Sequence, residues 1–301
     1  MTTTRVGEYR PQQLGKSSSG QQNKPITDTY SARARRGGLH VATIPSRSAA
    51  TTGRGMQLFA SVLRYVVTDA ISLRLPIGEV VVQAWTLLKV TATPGLLMAI
   101  PFGAMATVVT SGLVNQLGAS SLLGAAAGVG VVRQGAPITA GLLMGGAAAS
   151  AISSDFGARA IREELDAMRV LGVDPVRRLV VPRFLALLLI SPILCILIVV
   201  AGTAAAFIMA VGASDVAPGS FWMSFGTFAK VADVWFAIGK TVVFGAIVAI
   251  VSSLRGMEAK GGPRGVADAV NSAVVINVVC IVFANLAITQ LQTMFVPMEV
   301  A

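Results

Sequence analysis

The stretch that decides the fold is Ser153–Pro182, SSDFGARAIREELDAMRVLGVDPVRRLVVP. It carries Asp155, Arg159, Arg162, Glu163, Glu164, Asp166, Arg169, Asp174, Arg177 and Arg178, yet long apolar segments flank it on both sides. So much charge between membrane spans must lie outside the hydrocarbon core. Its local grammar is helical: Ile161, Leu165, Met168 and Leu171 recur at steps of four and three, which predicts one apolar stripe. Asp155 is placed to cap the amino end, with Ser153 and Ser154 as alternatives. Gly172 predicts a left-handed C-cap, and Pro175 stops continuation. The reading is a short amphipathic helix over residues 155–172. A solvated loop helix and a peg that docks a soluble partner both fit that pattern.

The composition around this stretch is that of an integral membrane protein. Of 301 residues, 54% are hydrophobic, and mean hydropathy is +0.72. The net charge of +10 does not point to nucleic acid, because the basic residues gather in the amino-terminal region, the central stretch and the loop Arg255–Gly265. That is the distribution of cytoplasmic flanks. His40 is the one histidine, so no histidine-based metal site or histidine-dependent triad is expected. No catalytic residue, metal or cofactor is assigned. Cys195 and Cys280 sit in separate apolar runs and read as free thiols. The chain has no G-x-x-x-x-G-K-[ST] loop, so it does not bind ATP by that device, and any ATP hydrolysis must come from a partner chain.

Three regions follow. Residues 1–55 read as a disordered, basic cytoplasmic tail and not as a signal peptide. Residues 56–92 mix apolar positions with Arg64, Asp69, Arg74, Glu79 and Lys89, around a break at Pro76; an amphipathic helix at the inner membrane surface fits. Residues 93–301 hold the spans. Val90–Val132 is uncharged over 43 residues, enough for two crossings with a turn near Asn115–Ser121. The spans are expected at about Pro94–Val114, Leu122–Ile152, Phe184–Val211, Asp233–Ser253 and Val270–Phe295. Span two is rich in Gly and Ala, which lets helices approach closely in lipid. The lysine and arginine bias puts the amino end, the central helix and the Arg255–Gly265 loop inside, with the 115 turn and the Asp215–Phe228 connection outside. The fold class is thus an all-α membrane protein, with five transmembrane helices, an N-terminal interfacial helix and a cytoplasmic helix between spans two and three.

Arg133, Gln134 and Lys240 fall at membrane depth, approached from the outer side. A basic group there must snorkel, pair or face a wet cavity, so these three are candidate substrate-cavity residues that could meet an anionic headgroup. Asn271, Asn277 and Asn285 on span five read first as interhelical hydrogen-bonding groups.

The block Ala158–Arg183 closely resembles the MlaE/YrbE family of ABC-transporter permeases, and within it the A-type YrbE permeases of actinobacterial Mce lipid-uptake systems. The resemblance extends to Gly141–Gly157 and Lys240–Asn271 and covers roughly Pro94–Phe295. It implies a permease domain over 93–301 in the plasma (inner) membrane, pairing with a B-type YrbE partner. It implies an MceG- or MlaF-like ATPase on the cytoplasmic side, docked on the 155–172 helix through Arg162, Glu163, Glu164, Asp166, Arg169, Gly172, Asp174 and Pro175. It also implies MCE-domain proteins outside and a lipid substrate: fatty acid, sterol or phospholipid. Where MlaE members carry Arg-Glu-Leu-Gly-Pro, this chain has Arg133, Gln134, Gly135, Ala136 and Pro137, so the acidic residue that would answer Lys240 is absent. The alternative is an ATP-independent secondary carrier of hydrophobic anions. Such carriers usually show buried acids and internal symmetry, whereas here no repeat is visible.

Overall fold

The computed structural model describes residues 53–69, 77–116 and 122–295, all helix or short connection, with no strand among them. The expected tail over 1–55 lies almost entirely outside the described residues, as does the break around Pro76. Helix α1 (53–69) precedes a long α2 (Ile77–Gln116). Next come α3 (Leu123–Ile161), the short α4 (Glu164–Val170) and α5 (Val176–Ala213). The chain ends in α6 (Pro218–Phe228), α7 (Val231–Met257) and α8 (Gly262–Phe295). Five of these, α2, α3, α5, α7 and α8, are long and apolar enough to cross a membrane.

The helix that holds the first span begins well before the span expected from the sequence. Pro94 lies inside α2, as does Pro101, so the helix runs unbroken from Ile77 through the expected boundary at residues 92 and 93. Each interior proline forfeits one backbone hydrogen bond, a loss that membrane helices absorb through neighbouring groups. The two charges in the early turns find partners. The Lys89 ammonium sits 4.9 Å from the Trp85 ring centre, one turn away, and Glu79 lies 4.0 Å from Arg178. Forty residues make a helix of about 60 Å, twice the hydrocarbon thickness, so α2 extends well beyond the bilayer core.

The spans alternate in direction and pack around α3. Met144, Leu187, Ile190, Phe244, Val248 and Ile281 form the middle of one core that also takes in Leu58 and Val62 of α1. Helices α2 and α5 cross at Gly103 and Gly202, where a Cβ on Gly103 would overlap the Gly202 carbonyl. Only glycine permits that approach. Gly103→Val is therefore expected to push the two spans apart and cost about 1–3 kcal/mol, read as a lower thermal midpoint of the detergent-solubilised protein.

At the opposite end from α4, a smaller core joins Leu123, Ala206, Ala210, Val216 and Phe221. The Asp215–Phe228 connection is thus more than a linker. Pro218 starts a helix whose Phe221, Trp222 and Phe225 pack on one another and on Phe207, with ring centres 5.4–6.2 Å apart.

Candidate functional site

Two regions gather the residues that carry chemistry. The first is the extramembrane element between α3 and α5. The helix expected over 155–172 is divided here. Asp155 does not cap a helix start but lies well inside α3, which continues to Ile161. An N-cap needs non-helical backbone before it, and nothing in Ala149–Ile161 interrupts the helical ladder. The chain breaks at Arg162 and Glu163, whose φ of 59° is left-handed. Seven residues of α4 follow.

Helix α4 closes as expected. Gly172 has φ +74°, its N–H donates to Arg169 O (3.0 Å), and the Val173 N–H donates to Met168 O (2.9 Å). That pair of bonds is the Schellman closure. Asp174 then starts α5 by accepting from the Val176 N–H at 2.9 Å.

The apolar stripe of α4 splits between two environments. Leu165 is buried and Met168 half-buried against the core, while Val170 and Leu171 stand 87% and 79% exposed. Around that apolar tip, Arg169 pairs with Asp166 at 2.7 Å and Arg162 with Glu164 at 3.2 Å. These exposed pairs add little stability. The tip residues Val170 and Leu171, with half-exposed Val173, were not singled out as contact residues from the sequence; an apolar residue next to the C-capping glycine was the available signal.

The root of this element is firmly held. Arg183, buried at the start of α5, pairs with Asp155, donates to Leu179 O at 3.0 Å and lies over the Phe156 ring. Arg159 links Asp155 (3.3 Å) to Glu164 (3.7 Å). On the other side, the Tyr65 hydroxyl donates to Asp174 Oδ2 at 2.6 Å, and that bond raises the phenol above its ordinary pKa.

The second region is a buried polar network where α3, α7 and α8 meet. The structure brings Arg133, Gln134 and Lys240 together. Lys240 is fully buried, and its Nζ donates to Arg133 O and to Thr289 Oγ1, both at 3.1 Å. The carbonyl is a specific acceptor. In an α-helix residue 133 would receive the N–H of residue 137, but Pro137 has none. Arg133 itself, however, lies within a π-helical stretch, Gly128–Gly135, whose carbonyls accept from five residues on, a register that passes over Pro137. Lys240 thus gives this carbonyl a side-chain donor from α7.

Gln134 donates to Thr289 Oγ1 (3.2 Å) and accepts from Asn285 Nδ2 (3.3 Å). Arg133 Nε lies 2.8 Å from Asp233 Oδ1 without an aligned N–H···O bond, so the two form an ion pair. Gln292 Nε2 donates to Asp233 Oδ1 at 3.1 Å. Asp233 sits in the first turn of α7, at the span end that the sequence predicts, and it is fully buried there. Asn285, Thr289 and Gln292 recur at steps of four and three along α8, a polar stripe that the spacing alone would have revealed. Two cations and one carboxylate share the network.

These features define an all-helical, multi-pass membrane protein with a capped extramembrane helix between its second and third spans. Residues 80–291 match the family model described as Permease MlaE, and the chain belongs to that family. It is 32% identical over 168 residues to a probable ABC transporter permease protein of Synechocystis, covering 56% of this chain and 64% of that one. It is 28% identical over 175 residues (58% and 50%) to the chloroplastic protein Trigalactosyldiacylglycerol 1 of Arabidopsis thaliana. It is also 28% identical over 158 residues (52% and 60%) to the intermembrane phospholipid transport system permease protein MlaE of Haemophilus influenzae. The chain spans about half to two thirds of the length of these relatives.

Proposed function

We propose that this chain is the membrane-embedded permease subunit of an ATP-driven lipid importer, with ATP hydrolysis on a separate subunit docked at α4. The observation that carries the reading is the α4 tip: Val170 and Leu171 are exposed at the end of a capped, charge-ringed helix whose other face is buried. A merely solvated loop helix has no need of an apolar apex; a peg in a partner's groove does. The family membership and the relatives named as ABC transporter permeases support the same reading. The α4 end faces the cytoplasm, α6 lies on the outer side, and the chain pairs with a second permease of the B-type YrbE kind. MCE-domain proteins deliver lipid from outside. The lipid character is supported by the phospholipid transport named for the Haemophilus relative; here fatty acids and sterols remain in the same class.

Within this function, α4 and its flanks, from Arg162 to Pro175, transmit the motor's movement. The Arg133–Asp233–Lys240 network ties together the three spans that would rearrange around lipid, with Gln134 at its half-buried edge. Replacing Glu163, Glu164 and Asp166 together by Lys reverses the charge ring without entering the core. The ATPase co-purified with the permease is expected to fall by about tenfold or more. Unchanged retention would contradict docking at α4, and absence of any ATPase from the wild-type protein would favour the carrier reading.

A further inference from the structure

Helix α1 is joined to the body at both ends, in a way that a helix resting on a membrane surface does not require. At its carboxyl end, Tyr65 and Asp69 lie one turn apart and engage two residues of the segment just after α4. The Tyr65 hydroxyl donates to Asp174, and Asp69 takes both Nε (3.1 Å) and Nη2 of Arg177. The Asp69 carboxylate is buried, with 4% exposure. At the amino end, Arg54 pairs with Glu258 at 2.8 Å, Glu258 also faces Arg255 at 3.8 Å, and a Cβ added at Gly55 would meet Leu254 at 3.7 Å. Between these joints Leu58 and Val62 are buried in the main core, and Phe59 meets Phe184 edge-on.

Helix α1 therefore runs from the segment beside α4 to the end of α7, over 17 residues or about 25 Å. Val66 is half-buried against the same core, while Met56, Leu63 and Val67 are exposed. A membrane-surface helix is held by such a face alone. A buried carboxylate clamped in a two-point arginine pair is a rigid, directional joint.

We propose that α1 is a strut of the coupling machinery. Displacement of α4 passes through the Tyr65–Asp174 and Asp69–Arg177 joints into α1, and through Arg54–Glu258 into α7, the span that carries Asp233 and Lys240. Tyr65, Asp69 and Arg177 are positioning residues; they need not touch the ATPase or the lipid. This rests on the docking reading above, but predicts something separate: breaking the joint uncouples the motor without releasing it.

The test uses the complex purified through this chain, reconstituted in vesicles, with a fluorescent fatty acid as probe. Three quantities are read: ATPase bound per permease, ATP hydrolysed, and probe moved per ATP. Asp69→Arg and Arg177→Asp are each expected to lower probe moved per ATP by about tenfold while bound ATPase stays within about twofold of wild type. The double exchange Asp69→Arg/Arg177→Asp is expected to regain most of the loss, which a generally damaged fold would not. Tyr65→Phe, which keeps the ring and removes only the hydroxyl, is expected to lose about threefold and serves if the single charge variants do not accumulate. Unaltered coupling in Tyr65→Phe and the charge variants, or an exchange no better than its parents, would overturn the strut. A wild-type complex without bound ATPase removes the docking reading itself, and is seen before any variant is made.

Discussion

Asp233→Leu is expected to destabilise the bundle by about 3–5 kcal/mol, and to abolish most folded protein in the membrane. The reason is the charge inventory of the network. Asp233 is the carboxylate paired with Arg133, and Lys240 already relies on two neutral acceptors. Removing that carboxylate leaves two buried cations in the same low-dielectric region and orphans Gln292. The companion variant Asp233→Leu/Arg133→Met takes out both members of the ion pair. Because replacing a whole buried pair by apolar groups is often close to neutral, the double variant is expected to recover more than half of the lost stability. Thermal unfolding followed by the loss of monodisperse protein measures both. If Asp233→Leu behaves like the wild type, the network contributes nothing to holding α3, α7 and α8 together.

The second large effect concerns the apex of α4. Val170→Asp/Leu171→Asp places two carboxylates where the proposed groove of the ATPase expects apolar surface. Both positions are exposed in this chain, so its own stability should be untouched. The affinity for the ATPase is expected to fall by at least about 100-fold, since central apolar contacts commonly act as hot spots. Purified permease titrated with purified ATPase gives the number directly. A change of less than about threefold would show that the apex is not buried in the complex.

Much of this was legible in the chain before any coordinates. The charged block at Ser153–Pro182 marks the one element between spans two and three that cannot enter lipid, and the five apolar segments all fall within helices that can. Gly172 was readable because a left-handed C-cap depends on local backbone chemistry. The failures share a physical cause. Asp155 has the right identity for a cap, but capping requires that the preceding residues leave the helix, and Ala149–Ser154 do not. Pro94 reads as about the span start because the uncharged run begins just after Lys89; in α2 it is interior, and Lys89 lies over Trp85.

The polar network was half visible. Arg133, Gln134 and Lys240 stand out as costly residues at membrane depth, whereas their partners belong to other helices, and only the tertiary fold decides which ones meet. Asp233 near a predicted span end gave no hint of full burial. The Arg133 carbonyl shows the same limit: that Lys240, on another helix, donates to it is a fact of packing.

The central claim is that the short helix after span two faces the cytoplasm and is seated in an ATPase. A photocrosslinking amino acid placed at Leu171 in living cells tests both parts at once, with Met223 on α6, 78% exposed at the opposite end, as the control position. The account predicts a covalent product from position 171 that mass spectrometry identifies as an ATPase with a P-loop, and no such product from position 223. An ATPase captured from position 223, or captured from neither position while 171 reacts only with lipid or an outer-side protein, would contradict it.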